Sequence, residues 1–423
     1  MVVDTKNKNS YFTNAEIQSP ESRENKLFEN FSSKLKTVIT NSHGWKEILA
    51  NQSLDTIKNR DDLEKLPITR KSSLIDLQQK NPPYGGLNSK EPSEFDYMFA
   101  SPGPIYEPGE KGDFWNIASS LYAAGIRKGN VVYNTFSYHL GPAGIMFGNA
   151  ANHLGCTVIA GGIGNTDLQI ATIETLKPNF YLGTPSFLKI ILDKTRKNKS
   201  DLSCIKNALV GAEAFPEDLR NYFSKEFSIC PLQMYGTAEV GCIAFETKNN
   251  QGKVNTGMIL EENIIIEIVR PGTLKNVSKG EVGEVVVTKL NTNYPMIRLA
   301  TGDLSAIIEE PSPCGRTNTR IKGWMGRAEQ STKVKGLFIT PNQVNKITDN
   351  FKAISKVRLV INKKNLLDDP RLICEANNSK NINKIEIKEF FKEKFKLNVH
   401  VEIVEKGTIA NDGIVIEDRR NIN

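Results

Sequence analysis

The sequence predicts an α/β fold: a large N-terminal unit of helix-covered sheet with a small β subdomain, followed by a small α+β unit at the C-terminus. Three observations predict it. Short apolar runs alternate with amphipathic helical stretches from Val131 to beyond Pro216, paired β runs take over after Asn263, and a separate mixed pattern fills the tail after Arg327. A length of 423 residues also exceeds one ordinary core.

From Glu24 to about Gln79 apolar residues recur at helical spacing, broken by polar turns and by Pro67, so this stretch reads as a helical lead-in. The central part reads as strand Val131 to Phe136, helix from Ala143, strand Thr157 to Ala160 and helix from Asp167. It continues with strand Phe180 to Gly183, helix from Pro185, strand Ala208 to Val210 and helix from Pro216. Such alternation makes a mostly parallel sheet under helices, and ligands on such sheets sit beyond the carboxyl ends of the strands. The loops there are Ser137-Tyr138-His139, Gly161-Gly162, Gly183-Thr184-Pro185 and Gly211-Ala212-Glu213. Their small residues serve either close backbone approach to a ligand or tight turns.

From Asn263 the runs Ile264 to Val269 and Gly283 to Thr288, joined by a Pro-Gly turn, read as antiparallel β structure. The tail reads as strand Gly336 to Ile339, helix from Pro341, strands Val357 to Ile361 and Arg371 to Glu375, helix Ile382 to Phe395 and strand Val399 to Val404. It has the makings of an independent α+β domain on a hinge.

Composition narrows the function classes. The formal charge of +7 comes from lysines scattered in Lys/Asn-rich stretches such as Lys194 to Ser200 and Asn377 to Lys388, the pattern of a solvated face rather than a nucleic-acid patch. The polar start, Met1 to Asn14, lacks a signal-peptide core, and no stretch has membrane-helix length, so a cytoplasmic protein that neither enters a membrane nor binds nucleic acid is expected. Six widely spaced cysteines without a C-x-x-C pair argue against a disulfide framework or zinc ribbon.

Three segments carry more specific information. They are Tyr235-Gly236-Thr237-Ala238-Glu239-Val240-Gly241; the series Tyr294-Pro295-Met296-Ile297-Arg298, Thr301-Gly302-Asp303-Leu304, Pro313-Cys314-Gly315-Arg316-Thr317 and Gly326-Arg327; and Gly336 to Val344. In order and spacing they resemble the adenylate-forming (AMP-forming) acid-CoA ligases, specifically the phenylacetate-CoA ligase branch, from about Leu63 onward. The resemblance implies an AMP-binding adenylation domain over residues 1–327 and a mobile C-terminal domain over 328–423.

It further implies that Asp303 grips the ribose diol with its two acceptor oxygens, and that Glu239 holds magnesium against the ATP phosphates, since hard cations prefer carboxylate oxygens. Tyr235 would stack near adenine while Gly211, Ala212 and Glu213 supply backbone to the same base, with Gly236 and Thr237 in the same nucleotide loop. A core role for Tyr235 stands equally open. Arg327 would contact ribose or phosphate, as arginine suits bidentate anion recognition, and Arg316 pins its loop. Glu239 and Arg327 are thus the implied catalytic pair. Tyr138 and His139, with Ala212 and Gly236, would line the acyl and pantetheine pocket.

Two stretches depart from the family pattern. The phosphate loop, glycine- and threonine-rich and ending in Gly-Lys-Pro among relatives, reads Ala100 to Gly109 here. Pro102, Pro104 and Pro108 remove N–H donors, no lysine or threonine is present before Lys111, and Glu107 is expected to repel phosphate. In the tail, the Gly-Ser-x-x-x-x-Gly-Lys position reads Gly407-Thr408-Ile409-Ala410-Asn411-Asp412-Gly413-Ile414, so Ile414 replaces the lysine that bridges carboxylate and α-phosphate. Lys406 is the neighbouring cation in sequence. Zinc, held in some relatives by cysteines near the Pro-Cys-Gly-Arg segment, is not expected: Cys242 and Cys314 alone make no closed site.

The resemblance therefore implies ATP-dependent activation of an aryl or arylacetic carboxylic acid to an acyl-adenylate, then transfer to CoA, with ATP, Mg2+ and CoA as cofactors and cosubstrates. A homodimer is compatible with it. The alternative is a degenerate homologue that runs only the thioester half-reaction, or binds nucleotide or acyl-CoA without catalysis.

Overall fold

The computed structural model describes residues 11–54, 57–101, 104–273, 275–290, 293–328, 330, 332–334, 337–364, 367–376 and 382–420. The chain divides into two compact units. One comprises Met1–Ile266, Val287–Leu299 and Ile308–Trp324; the other comprises Glu267–Val286, Ala300–Ile307 and Met325–Asn423.

In the first unit the lead-in is helical, as its periodicity predicts, with helices Pro20–Phe28, Phe31–Asn41, His43–Ile48 and Leu74–Lys80. Phe31, Leu35, Val38 and Trp45 form its buried face, and Trp45 is fixed further by its Nε1 donating to the Pro295 carbonyl at 3.0 Å. The central sheet places Arg320–Ile321, Met258–Leu260, Gly241–Phe245, Leu232–Thr237, Asn207–Val210, Phe180–Gly183, Val131–Asn134 and Thr157–Ala160 side by side in that order. From Thr157–Ala160 to Leu232–Thr237 neighbours are parallel; beyond that they turn antiparallel.

Alternate residues serve two cores. Val132, Phe180, Leu182, Leu209 and Leu232 face one cluster, while Tyr133, Tyr181, Ala208 and Val210 face the other. Burial on both faces is why these strands read as continuous apolar runs. Helix starts follow local chemistry. Thr184 accepts from the Phe187 N–H with Pro185 in the first turn, whereas Pro216 caps Glu217–Phe227 from outside instead of opening it. The first sheet strand stops at Asn134, two residues short of the expected Phe136. The Asn134 side chain accepts from the Phe136 N–H at 3.1 Å and turns the chain there.

The segment at the phosphate-loop position includes two paired strands, Tyr97–Ser101 and Ile105–Gly109, with Ala100 opposite Tyr106. Pro102 and Gly103 lie outside the described residues. The small β subdomain is a sheet in the order Thr69–Arg70, Met296–Ser305, Gly283–Lys289, Ile265–Val269.

In the second unit a sheet ordered His400–Glu405, Leu367–Ala376, Ile354–Lys364, Ile416–Asp418 packs helices Pro341–Asn350 and Lys384–Phe395 over a core that includes Leu359, Ile361, Leu372, Ile387 and Phe391. The two middle strands extend past the predicted Val357 to Ile361 and Arg371 to Glu375, pairing from Ile354 opposite Ala376 to Lys364 opposite Leu367, because backbone pairing continues through polar residues such as Ser355, Asn362 and Asp369 that break the apolar run in the sequence. Thr340 and Gln343 form a reciprocal capping box with Pro341 opening the helix. The predicted strand start at Gly336, and residues 377–381 of the Lys/Asn-rich stretch, lie outside the described residues. Among the described residues no helix is long and apolar enough to cross a membrane.

Candidate nucleotide and acyl site

All parallel strands of the first unit deliver their carboxyl ends to one sheet edge. The chain runs from Val131–Asn134 outward to Thr157–Ala160 and then back across it to Phe180–Gly183, so the strand order reverses beside Val131–Asn134, the kind of point at which such sheets bind ligands. Tyr138 stands at that point. Its hydroxyl accepts from Asn134 Nδ2 at 2.9 Å, and its ring packs where a Cβ on Gly144 would approach to 2.7 Å, so glycine is required under it. Burial raises the Tyr138 phenol above its ordinary range. His139 follows with an exposed side chain, held through its backbone N–H to Ser137 Oγ at 3.1 Å.

After Asn207–Val210, Gly211 bonds back to the Gly183 carbonyl at 3.2 Å and Ala212 takes a left-handed conformation, φ 64°, with its side chain exposed. Glu213 accepts from Ser186 Oγ at 2.9 Å, and Gln233 Nε2 reaches the Glu213 carbonyl at 3.1 Å, tying this loop to its neighbours on both sides. Tyr235 is 7% exposed and lies opposite Ala244, with a β-bulge between it and Gly236. A Cβ on Gly236 would meet the Gly241 carbonyl oxygen at 2.3 Å. Only glycine lets the two strands close this tightly. Thr237 Oγ1 accepts from the Val240 N–H at 3.3 Å, closing the turn that presents Glu239.

The Glu239 side chain is fully buried, and Lys71 Nζ lies 2.9 Å from Oε1 while donating to Oε2 at 3.2 Å. Among the described residues no cluster of three or more His, Cys, Asp or Glu side chains is placed to share a metal. A single carboxylate suits magnesium, which binds through one or two carboxylates and completes its shell with phosphate oxygens and water.

Glu107 changes character in the fold. It is wholly buried, accepts from Ser101 Oγ at 3.0 Å, and its Oε1 has no protein partner. Burial first, then the Glu239 carboxylate, push its acid up to about 8, with Ser101 and Lys71 pulling the other way. The expected repulsion of phosphate is therefore corrected: near neutral pH Glu107 is mainly an uncharged acid, because the site it occupies is dry.

In the second unit Asp303 and Arg327 meet across a β-bridge. Arg327 Nη1 donates to Asp303 Oδ1 at 2.8 Å, the Leu304 N–H to the Gly326 carbonyl at 2.8 Å, and the Ala328 N–H to the Gly302 carbonyl at 2.7 Å. Gly302, φ 78°, leaves room for the guanidinium, which a Cβ would approach to 2.8 Å. The Asp303 side chain is largely buried and that of Arg327 about half exposed, at 53%. The tail loop around Ile414 has its own cations. Lys356 Nζ donates to the Ala410 carbonyl at 3.0 Å, and Arg358 Nε donates to the Ile414 carbonyl at 3.0 Å. Lys406 is exposed.

Lys71, Lys356 and Arg358 escaped the sequence reading. Lys71 lies in the lead-in, 168 residues before its partner, with nothing in its surroundings to single out one lysine among many. Arg316, expected to pin its loop, pairs with Glu16 at 2.7 Å, both side chains 4% exposed or less. A cavity of about 560 Å³ in the first unit, bounded by Phe12, Leu27, Phe31 and Leu290, includes none of the candidate residues.

Comparison with known proteins agrees with this architecture. Residues 115–292 match the family model described as AMP-binding enzyme. The chain is 28% identical to the phenylacetate-coenzyme A ligase of Thermus thermophilus over 331 residues, covering 75% of this chain and 73% of that protein. It is 29% identical to the enzyme of the same name from Pseudomonas putida over 319 residues, 72% of this chain and 70% of that one. In fold it resembles 2-hydroxyisobutyryl-CoA ligase, solved in an open conformation with 2-HIB-AMP and CoA. The TM-score is 0.71 at 20% identity, over 96% of this chain and 93% of that one.

Proposed function

We propose that this chain, an adenylate-forming, phenylacetate-CoA ligase-like protein, activates an aryl or arylacetic acid with ATP and transfers the acyl group to CoA. In the first step an acid oxygen attacks the α-phosphorus and pyrophosphate leaves, giving the acyl-adenylate. In the second the CoA sulfur attacks the acyl carbon, AMP leaves with the bonding pair, and the thiol proton is released. The observation that carries this reading is the buried Glu239 carboxylate at the carboxyl edge of the parallel sheet, bracketed by the Lys71 ammonium.

In this reading Glu239 holds the divalent cation, which when bound screens the phosphate charge. Lys71 adds a fixed positive charge beside it, Asp303 accepts from the ribose hydroxyls and Arg327 turns from Asp303 toward nucleotide oxygens. Tyr235, Gly236, Thr237 and the Gly211-Ala212-Glu213 loop flank the base, while Tyr138, His139, Ala212 and Gly236 bound the acyl group. A functional division at residues 327 and 328, a homodimer and a cytoplasmic location belong to the same proposal. Exchange between the two half-reactions by movement of the C-terminal part is the expected use of that division.

A second reading, in which only the thioester half survives, draws support from Ile414 in the lysine position and from the proline-bearing, lysine-free sequence Ala100 to Gly109 at the phosphate-loop position. Pyrophosphate release from MgATP, measured across a panel of aryl and alkyl acids with and without CoA, separates the two. Turnover by the wild type supports the full ligase. A silent wild type that consumes preformed acyl-adenylate and CoA supports the half-reaction, and inactivity in both assays sinks both readings.

A further inference from the structure

The turn that carries Glu239 is held from behind by a buried ammonium that the proposed chemistry does not use. Lys289, the last residue of Gly283–Lys289, is 5% exposed. Its Nζ donates to the Val240 carbonyl at 2.8 Å and to the Phe114 carbonyl at 3.3 Å. Burying a lysine is costly unless opposite charge and hydrogen bonds compensate. Here Glu261, 6% exposed, and Asp113 supply that charge. Burial pulls the ammonium below its ordinary range and pushes Glu261 up to about 6, and each partly offsets the other. Asp113 is fixed in turn, accepting from the Ile117 N–H at 2.7 Å and the Ala118 N–H at 3.1 Å.

The same turn is closed by backbone. The Cys242 N–H donates to the Trp115 carbonyl at 2.9 Å, and Gly241, φ 85°, has no room for a Cβ, which would meet that oxygen at 2.2 Å. The 239–242 turn and the 113–115 segment are therefore seated against each other at van der Waals limits. An apolar residue at position 289 could fill the space, but only a donor can satisfy the Val240 carbonyl and link it to that of Phe114.

We propose that Lys289 is a positioning residue for Glu239: by clamping the carbonyl of Val240 it sets the direction of the preceding carboxylate before nucleotide and cation arrive. The proposal rests on the reading of Glu239 as the cation-holding group. Outer partners of this kind commonly govern 10- to 100-fold in metal affinity, by order of magnitude.

The test is Mn2+ binding, followed by the spectrum of free Mn2+, to the full chain saturated with a non-hydrolysable ATP analogue. Wild type, Glu239→Gln and the double variant Lys289→Met with Glu261→Gln are compared; the double variant removes opposite charges together. Loss of tight Mn2+ binding in Glu239→Gln, with about tenfold weakening in the double variant and unchanged affinity for the analogue without metal, is the expected result. Wild-type Mn2+ affinity in the double variant, with loss in Glu239→Gln, overturns the positioning role alone. Wild-type affinity in Glu239→Gln overturns the reading beneath it. Should the double variant fail to fold, Lys289→Gln with Glu261→Gln decides, since the neutral amide keeps a polar group in the buried site but ends one side-chain atom short of the ammonium position that holds both carbonyls. Weakened Mn2+ binding supports the proposal and unchanged binding ends it.

Discussion

Lys71 Nζ sits 2.9 Å from Glu239 Oε1 and 3.2 Å from Oε2, so the carboxylate read as a cation holder already carries a tethered cation. The Glu239 side chain is fully buried while that of Lys71 is 31% exposed, so removing either leaves a different deficit. Lys71→Met strands a buried charge and is expected to lower stability by about 3 kcal/mol. Glu239→Gln is expected to cut adenylate formation on the order of a hundredfold. In thermal melts the double variant should lose less than the sum of the single losses, since the two share one interaction; strict additivity would show that the pair is not coupled.

Glu107 makes stability fall as pH rises. Its acid is pushed up to about 8 in the folded chain, so the folded state holds a proton that the unfolded state releases near the ordinary glutamate range. The sign follows: the folded state binds more protons through this window, and stability declines from about pH 4.5 to about 8. Glu107→Gln removes the term, and its gain over wild type in denaturant midpoint should be larger at pH 8 than at pH 5, on the order of a few kcal/mol at most. Equal gains at both values would mean that the carboxyl is ionised throughout.

Asp303 and Arg327 are paired but unequal in exposure. Because Arg327 is half exposed, Arg327→Ala should change stability by less than about 1 kcal/mol. Asp303→Ala, if the carboxylate grips ribose, should weaken AMP binding by roughly 2 kcal/mol, about thirtyfold, in a calorimetric titration. Affinity for AMP unaffected by Asp303→Ala would remove it from the nucleotide site.

At the tail loop, Ile414→Lys adds the charge that the resemblance expects. If adenylation is limited by its absence, acid-dependent pyrophosphate release should rise on the order of a hundredfold. If Lys356 or Arg358 beside the same loop already serves, the rate should stay within about twofold and fall instead in Lys356→Met.

Gly236→Ala tests the hairpin itself. Its Cβ would come within 2.3 Å of the Gly241 carbonyl oxygen, a backbone atom that cannot swing aside. A loss of about 2 kcal/mol in stability is expected, measured by chemical denaturation; a neutral effect would show that the turn has slack.

By itself the sequence determined the parallel sheet and its loops, because residues buried on both faces write continuous apolar runs and because capping at Thr184 and Thr340 is local chemistry. It also marked Glu239, Asp303 and Arg327, whose signals are short and contiguous. Tertiary structure alone decided what stands around them. Lys71 reaches Glu239 across 168 residues, Lys289 reaches Val240 across 49, and Lys356 reaches the tail loop across 54; a lone lysine carries no mark of such a partner in its own neighbourhood. The charge of Glu107 was likewise beyond the sequence, since it depends on exclusion of water and on a second carboxylate brought near by folding.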